Sequence, residues 1–183
     1  MPTVTTGTQA IDFTYNTPFM QGIKLSDKVK EVDKTFLLFS RYFGCTLCQL
    51  DMLEYREAYE RFRAKGAQIL FVLQSPPETI NAAVQDGDYP FEIVCNPDMS
   101  LYALYELPAA GSKVQLVSPG ILKAIQQKRK KIAEHGLEHG AYEGEELQLP
   151  GSFLLDREMN VLYDRRAKNI LDKPTIDEML AML

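Results

Sequence analysis

An α/β fold built on a central sheet is what the sequence predicts, on three observations. Apolar runs too short for helices recur along the chain, and amphipathic stretches of helical period separate them. A C-x-x-C motif, Cys45 to Cys48, sits where one such run gives way to one such stretch. Residues 35–40 (TFLLFS) read as the first buried strand. From Thr46 the period changes: Leu47, Leu50, Tyr55, Tyr59 and Phe62 recur near helical spacing, and Glu54, Arg56, Glu57, Glu60 and Arg61 cover much of the remaining surface. Gly66 supplies the stop. Residues 67–74 (AQILFVLQ) are a second buried strand. Ser75, Pro76, Pro77 and Glu78 then read as N-cap, proline at the first helical position and capping-box acid of a helix running to about Gln85. A turn over residues 87–90 leads to a third strand, 91–95, and to a short helix, 98–106, carrying Leu101, Leu104 and Tyr105.

The second half breaks the alternation. Residues 108–119 are rich in Gly, Ser and Pro and read as a loop with a small edge strand at 114–117. Ser118 and Pro119 cap a helix from Gly120 to about Glu134, with Ile121, Leu122, Ile125 and Ile132 on one side. Its basic run, Lys128 to Lys131, reads as a solvated face and dipole-compensating end. After an acidic segment, 136–147, strands at 152–156 and 160–163 are joined by Arg157, Glu158 and Met159, a hairpin length. Lys173, Pro174 and Thr175 begin a last helix whose apolar stripe is Ile176, Met179, Leu180 and Leu183. No internal repeat is found.

A chain of 183 residues, 45% hydrophobic and 25% charged, fits one domain, residues 1–183, with an insertion at 107–147. Three cysteines, only two of them close in sequence, point away from a secreted disulfide scaffold and toward a reducing compartment. The N-terminal stretch lacks the basic start and apolar core of a signal peptide, and no run approaches bilayer-spanning length, so a cytoplasmic location without membrane attachment is expected. A net charge of -5 argues against nucleic acid as a partner.

The C-x-x-C carries the chemistry. Ending a strand and opening a helix, it puts the Cys45 sulfur at the helix N-terminus, where unpaired N–H groups and the positive dipole end favour a thiolate. Cys48 lies one turn along, near enough to attack a mixed disulfide formed on Cys45. Arg41 is a candidate for lowering the thiolate pKa. Half of a zinc site is the alternative, but a second ligand pair at short spacing is missing, since Cys95, His135 and His139 are scattered. Gly136 and Gly140 make His135 and His139 a cationic C-cap or surface histidines rather than a metal pair, and Cys95 reads as a buried small hydrophobe. Tyr42 and Phe43 either line the access to the sulfurs or pack beneath the loop.

Residues 41–51 (RYFGCTLCQLD) resemble the R-x-x-G-C-x-x-C-x-x-acid pattern of the peroxiredoxin-like AhpC/TSA proteins, the group that includes the selenoprotein U relatives. Ile11, Asp12 and Phe13 resemble that family's early a-P-D-F segment, and residues 98–106 its D-x-x-L-Y helix, with Glu106 where glycine is common. Residues 150–156 (PGSFLLD) resemble the P-x-x-F-x-x-D strand near the end of many thioredoxin-fold proteins. The resemblance implies a thioredoxin-like fold: a central mixed β-sheet flanked by helices, with a helical insertion before the final β-hairpin. It makes Pro150 the residue that faces the C-x-x-C and shapes the substrate edge, through a cis Leu149–Pro150 bond. Aligned on a thioredoxin, Cys45 attacks and Cys48 resolves. Aligned on a typical peroxiredoxin, Cys48 takes the peroxidatic position, Cys45 replaces its threonine, and Pro150 stands where the peroxide-polarising arginine would come from. We put the first attack on Cys45. The implied function is a thiol-based oxidoreductase with an antioxidant role, acting on a disulfide or a peroxide and reset by an external dithiol of thioredoxin or glutaredoxin type. It requires no metal or organic cofactor. A redox-sensing interaction protein without turnover is the alternative.

Overall fold

The computed structural model describes residues 3–183. The first two residues of the expected 1–183 domain, and of the stretch read for a signal peptide, lie outside the described residues. Two short strands, β1 (Thr14–Tyr15) and β2 (Ile23–Lys24), pair antiparallel and lead into α1 (Leu25–Lys28). Then follow β3 (Lys34–Phe39), α2 (Thr46–Arg63), β4 (Ala67–Leu73), α3 (Pro77–Asn81), β5 (Glu92–Cys95) and α4 (Ser100–Leu104). The remainder is α5 (Lys113–Leu116), α6 (Leu122–Glu134), the hairpin of β6 (Gly151–Asp156) and β7 (Val161–Arg166), and α7 (Ile176–Ala181). The main sheet runs β5-β4-β3-β6-β7. β3, β4 and β5 are parallel, and β6 and β7 antiparallel, so this is the mixed sheet that was expected.

β3 has a charge only at its first residue, Lys34, and none within, as a strand covered on both faces requires. Its side chains alternate between two cores. Phe36 and Leu38 pack with Met52, Tyr55 and Phe62 of α2 and Met179 of α7, while Leu37 and Phe39 pack with Tyr102, Tyr105 and Phe153 on the other face. Gly66, at φ +69, ends the turn after α2 where the sequence put the stop.

Five readings are corrected. The helix expected from Ser75 to Gln85 is only Pro77–Asn81, its N-cap is Pro76 without a side-chain cap bond, and Ser75 is used elsewhere. The helix expected at 98–106 spans Ser100–Leu104, because the Asp98 carboxylate takes the amide and hydroxyl of Ser100 and holds the chain in a turn. Residues 114–117 are not an edge strand. They belong mostly to α5, which Ser112 caps by accepting from the Gln115 amide. In the basic run, Lys128 and Lys131 are not free solvent groups: their Nζ atoms lie 2.6 and 2.8 Å from Glu54 of α2, tying α6 to that helix. Leu122, placed on the apolar stripe of α6, is exposed, and Ile125 alone in that helix is buried. The β1/β2 hairpin went unseen in the sequence because two-residue strands show no period.

Candidate active site

The loop after β3 delivers the dithiol. Cys45 is the N-cap of α2, and its Sγ accepts from the Cys48 amide at 3.4 Å. Cys48 sits in the first turn, and both cysteines are free thiols, 3% and 2% exposed. Cys45 is lowered to about 6, first by the hydrogen bond from the Cys48 thiol and then, against desolvation, by the Arg41 guanidinium and the Cys48 amide. Cys48 is pushed well above the ordinary thiol range, by burial and then by the neighbouring Cys45 sulfur. One helical turn thus separates a thiolate from a held proton. Arg41 points inward: its Nη1 is 3.7 Å from Cys45 Sγ, its Nη2 donates to Tyr42 Oη at 3.3 Å, and its Nε is buried with no partner.

Above this layer lies a strap, residues 138–145, whose part in the site the sequence did not reveal. Tyr42 is fully buried, and its hydroxyl is 3.2 Å from His139 Nε2. His139 Nδ1 donates to the Gly140 carbonyl at 2.7 Å, which leaves Nε2 to pair with the Tyr42 hydroxyl. Tyr142 stacks on His139 with centroids 4.4 Å apart and lies 5.7 Å from the Tyr42 ring. The Gly140 amide donates to Gly44 O at 2.9 Å, and a Cβ on Gly44 would stand 2.5 Å from Ala141 O. That glycine is therefore required by the strap. At the strap's far end Glu143 accepts from the hydroxyls of Ser75 and Thr79, and the Glu145 amide donates to Gln74 Oε1 at 2.6 Å. Ser75 also accepts from the Phe43 amide at 2.8 Å, so it links both loops instead of capping α3. His135 is the C-cap of α6, whereas His139 belongs to the site.

Behind the sulfurs, Asp51 of α2 is buried and ion-paired with Lys173, whose pKa rises against its own desolvation. Ser40, Asp51, Pro150, Ser152 and Lys173 line a cavity of about 10 Å³. The negative charge of Asp51 raises both sulfurs. Pro150 is buried here, and the cis expectation is corrected: no cis peptide bond occurs among the described residues. The trans form is intrinsically preferred, and the backbone around it is pinned. Leu149 N donates to Pro108 O at 3.2 Å, Gln148 Nε2 donates to Leu149 O at 3.0 Å, and Ala167 N donates to Pro150 O at 3.0 Å. Cys95, raised to about 12 by burial, lies outside this layer at the end of β5. Among the described residues no three His, Cys, Asp or Glu side chains are grouped to hold a metal.

Several solved structures share this fold. The peroxidoxin BcpB of Mycobacterium tuberculosis superposes with a TM-score of 0.64 at 12% identity, covering 98% of this chain and 96% of its own. The reduced 2-Cys peroxiredoxin of Plasmodium vivax gives 0.67 at 14%, covering 98% and 79%. A putative thiol:disulfide interchange protein DsbE from Chlorobium tepidum gives 0.60 at 20%, covering 98% and 99%. No individual curated protein matches in sequence. The family model described as AhpC/TSA family matches residues 6–164, which span the C-x-x-C, the strap and most of the final hairpin. With that match over most of its length and a mixed sheet presenting the dithiol at a helix start, the chain belongs to the AhpC/TSA family.

Proposed function

We propose that this chain is a thiol-based oxidoreductase in which Cys45 attacks and Cys48 resolves, reducing a peroxide or exchanging a disulfide. The observation that carries the reading is the placement of Cys45 at the start of α2, where its sulfur takes the Cys48 amide at 3.4 Å and the Arg41 guanidinium at 3.7 Å, an arrangement that biases Cys45 down and Cys48 up. With a hydroperoxide, the Cys45 thiolate attacks the terminal oxygen, the O–O bond breaks, the alkoxide leaves and takes a proton from solvent to become an alcohol, and Cys45, keeping the attacked OH, becomes a sulfenic acid. The Cys48 thiol then attacks the Cys45 sulfur, the S–S bond forms, and the hydroxyl leaves as water with the Cys48 proton. With a disulfide, the Cys45 thiolate attacks one sulfur and expels the first substrate thiolate as the mixed disulfide forms; Cys48 then attacks the Cys45 sulfur, and the second substrate thiolate leaves with the Cys48 proton. An external dithiol, thioredoxin- or glutaredoxin-like, returns two electrons to the Cys45–Cys48 disulfide.

Arg41 holds charge against the nucleophile, and Pro150 shapes the floor of the pocket beside Asp51 and Lys173. A reducing, cytoplasmic setting belongs to the proposal, because both thiols must start free. Stopped-flow mixing of the reduced protein with hydrogen peroxide, and turnover of a small disulfide with dithiothreitol, test it beside Cys45→Ser and Cys48→Ser. We expect Cys45→Ser to lose both reactions and Cys48→Ser to keep one stoichiometric oxidation without turnover. Rates no faster than those of a free thiol, with no disulfide turnover, would leave the non-turnover sensor as the better account.

A further inference from the structure

We propose that the strap, residues 138–145, is a size filter over the reduced dithiol, admitting reagents of a few atoms to Cys45 and excluding bulky ones until the strap is released. The proposal rests on Cys45 being the reactive sulfur and adds which class of reagent meets it first. Cys45 and Cys48 are buried, and the strap lies on the residues around them: Gly140 and Ala141 on Gly44, His139 on Tyr42 and Glu138 on Gln49. The strap's own residues face solvent: His139, Gly140, Ala141 and Tyr142 are exposed, Tyr142 by 62%. It is therefore a thin cover and not part of a core.

Two separate latches hold it. At one end the Gly140 amide meets Gly44 O, Gln49 Nε2 donates to Glu138 O at 3.1 Å, and His139 takes the Tyr42 hydroxyl. At the other, Glu143 is held by Ser75 and Thr79, the latter at 2.5 Å. Apart from the packing of Tyr142, the strap's attachments are polar and half-exposed, so each is individually weak against competition from water. Removing one latch should free the cover while leaving the two buried cores of the sheet untouched. A protein disulfide, or a protein dithiol coming to reset the site, needs that release. A peroxide-sized reagent needs only the side-chain motion of the cover.

The test labels the reduced full chain with N-ethylmaleimide and with a 5 kDa polyethylene glycol maleimide, which share one reactive head. Mass spectrometry reads the rate at Cys45, and the same chain in urea supplies the unhindered ratio. The folded chain should show a polymer-to-small-reagent ratio at least tenfold below the urea value. Glu143→Ala and His139→Ala, each at opposite ends, should raise the polymer rate about tenfold and the small-reagent rate less than twofold. A folded-state ratio equal to the urea value overturns the filter. So does a polymer rate unmoved in both variants, or polymer and small-reagent rates rising together to the urea values, which would mark unfolding. Labelling does not depend on turnover, so a chain inactive toward peroxide can still pass this test, and an active one can fail it.

Discussion

Cys45 is activated by donors that the helix start alone supplies only in part. The Cys48 amide is a product of α2 geometry, but the Cys48 thiol and the Arg41 guanidinium are matters of side-chain placement. Because the pKa is depressed, the thiolate form is populated above about 6 and lost below it. Alkylation of Cys45 should therefore be flat with pH above about 7 and fall tenfold per pH unit well below 6, read by labelling rate or thiolate absorbance. Arg41→Met should move that midpoint upward by roughly one pH unit. Asp51→Ala is expected to cost about 3–5 kcal/mol in urea unfolding, since it leaves the Lys173 ammonium buried without its partner. Removing both charges with Asp51→Leu and Lys173→Met should recover most of that loss. Cys45, Cys48 and Arg41 were legible as site candidates because spacing and local charge express their role. His139 was not, because nothing in its neighbourhood of the chain says that it will meet Tyr42, 97 residues away.

Among the elements, α2 was readable almost end to end, since 18 residues give several turns of apolar period and a glycine stop. Short helices were misjudged at their ends. α3 and α4 are five residues each, and side-chain competition at Ser75 and Asp98 decides their limits. α7 is six residues long and survives through its capping box, in which Thr175 accepts from the Glu178 amide and Glu178 accepts from the Thr175 amide. Thr175→Ala should cost about 1 kcal/mol by urea denaturation, and the Cys45 labelling rate should not change. The left-handed Glu106, at φ +53, stands where the AhpC/TSA resemblance expects glycine, so the departure in sequence falls on a backbone position suited to that residue.

Across the whole molecule, the five-stranded sheet divides two cores, and residues 107–147 add a third cluster. In it Ala110, Leu116 and Ile125 pack with Leu149, Ala167 and Ile170 around the final hairpin. Lys128 and Lys131 bind that segment to Glu54 of α2 as well. We propose that the segment is part of one cooperative domain. Urea unfolding followed by tyrosine fluorescence and by far-ultraviolet circular dichroism should then give coincident single transitions. A separate early transition would show that residues 107–147 unfold on their own.

The sequence by itself determined the strands of the main sheet, α2 and the position of the dithiol at its start, because short apolar runs, a 3.6-fold apolar period and a C-x-x-C are local patterns. It also carried the family resemblance. Only the tertiary structure decided that Arg41 turns inward, that Asp51 meets Lys173, that Leu149–Pro150 is trans, and that residues 138–145 meet Tyr42 and Gly44 beside the dithiol. Those outcomes depend on packing and hydrogen bonds between segments far apart in the chain, and no short-range pattern encodes them.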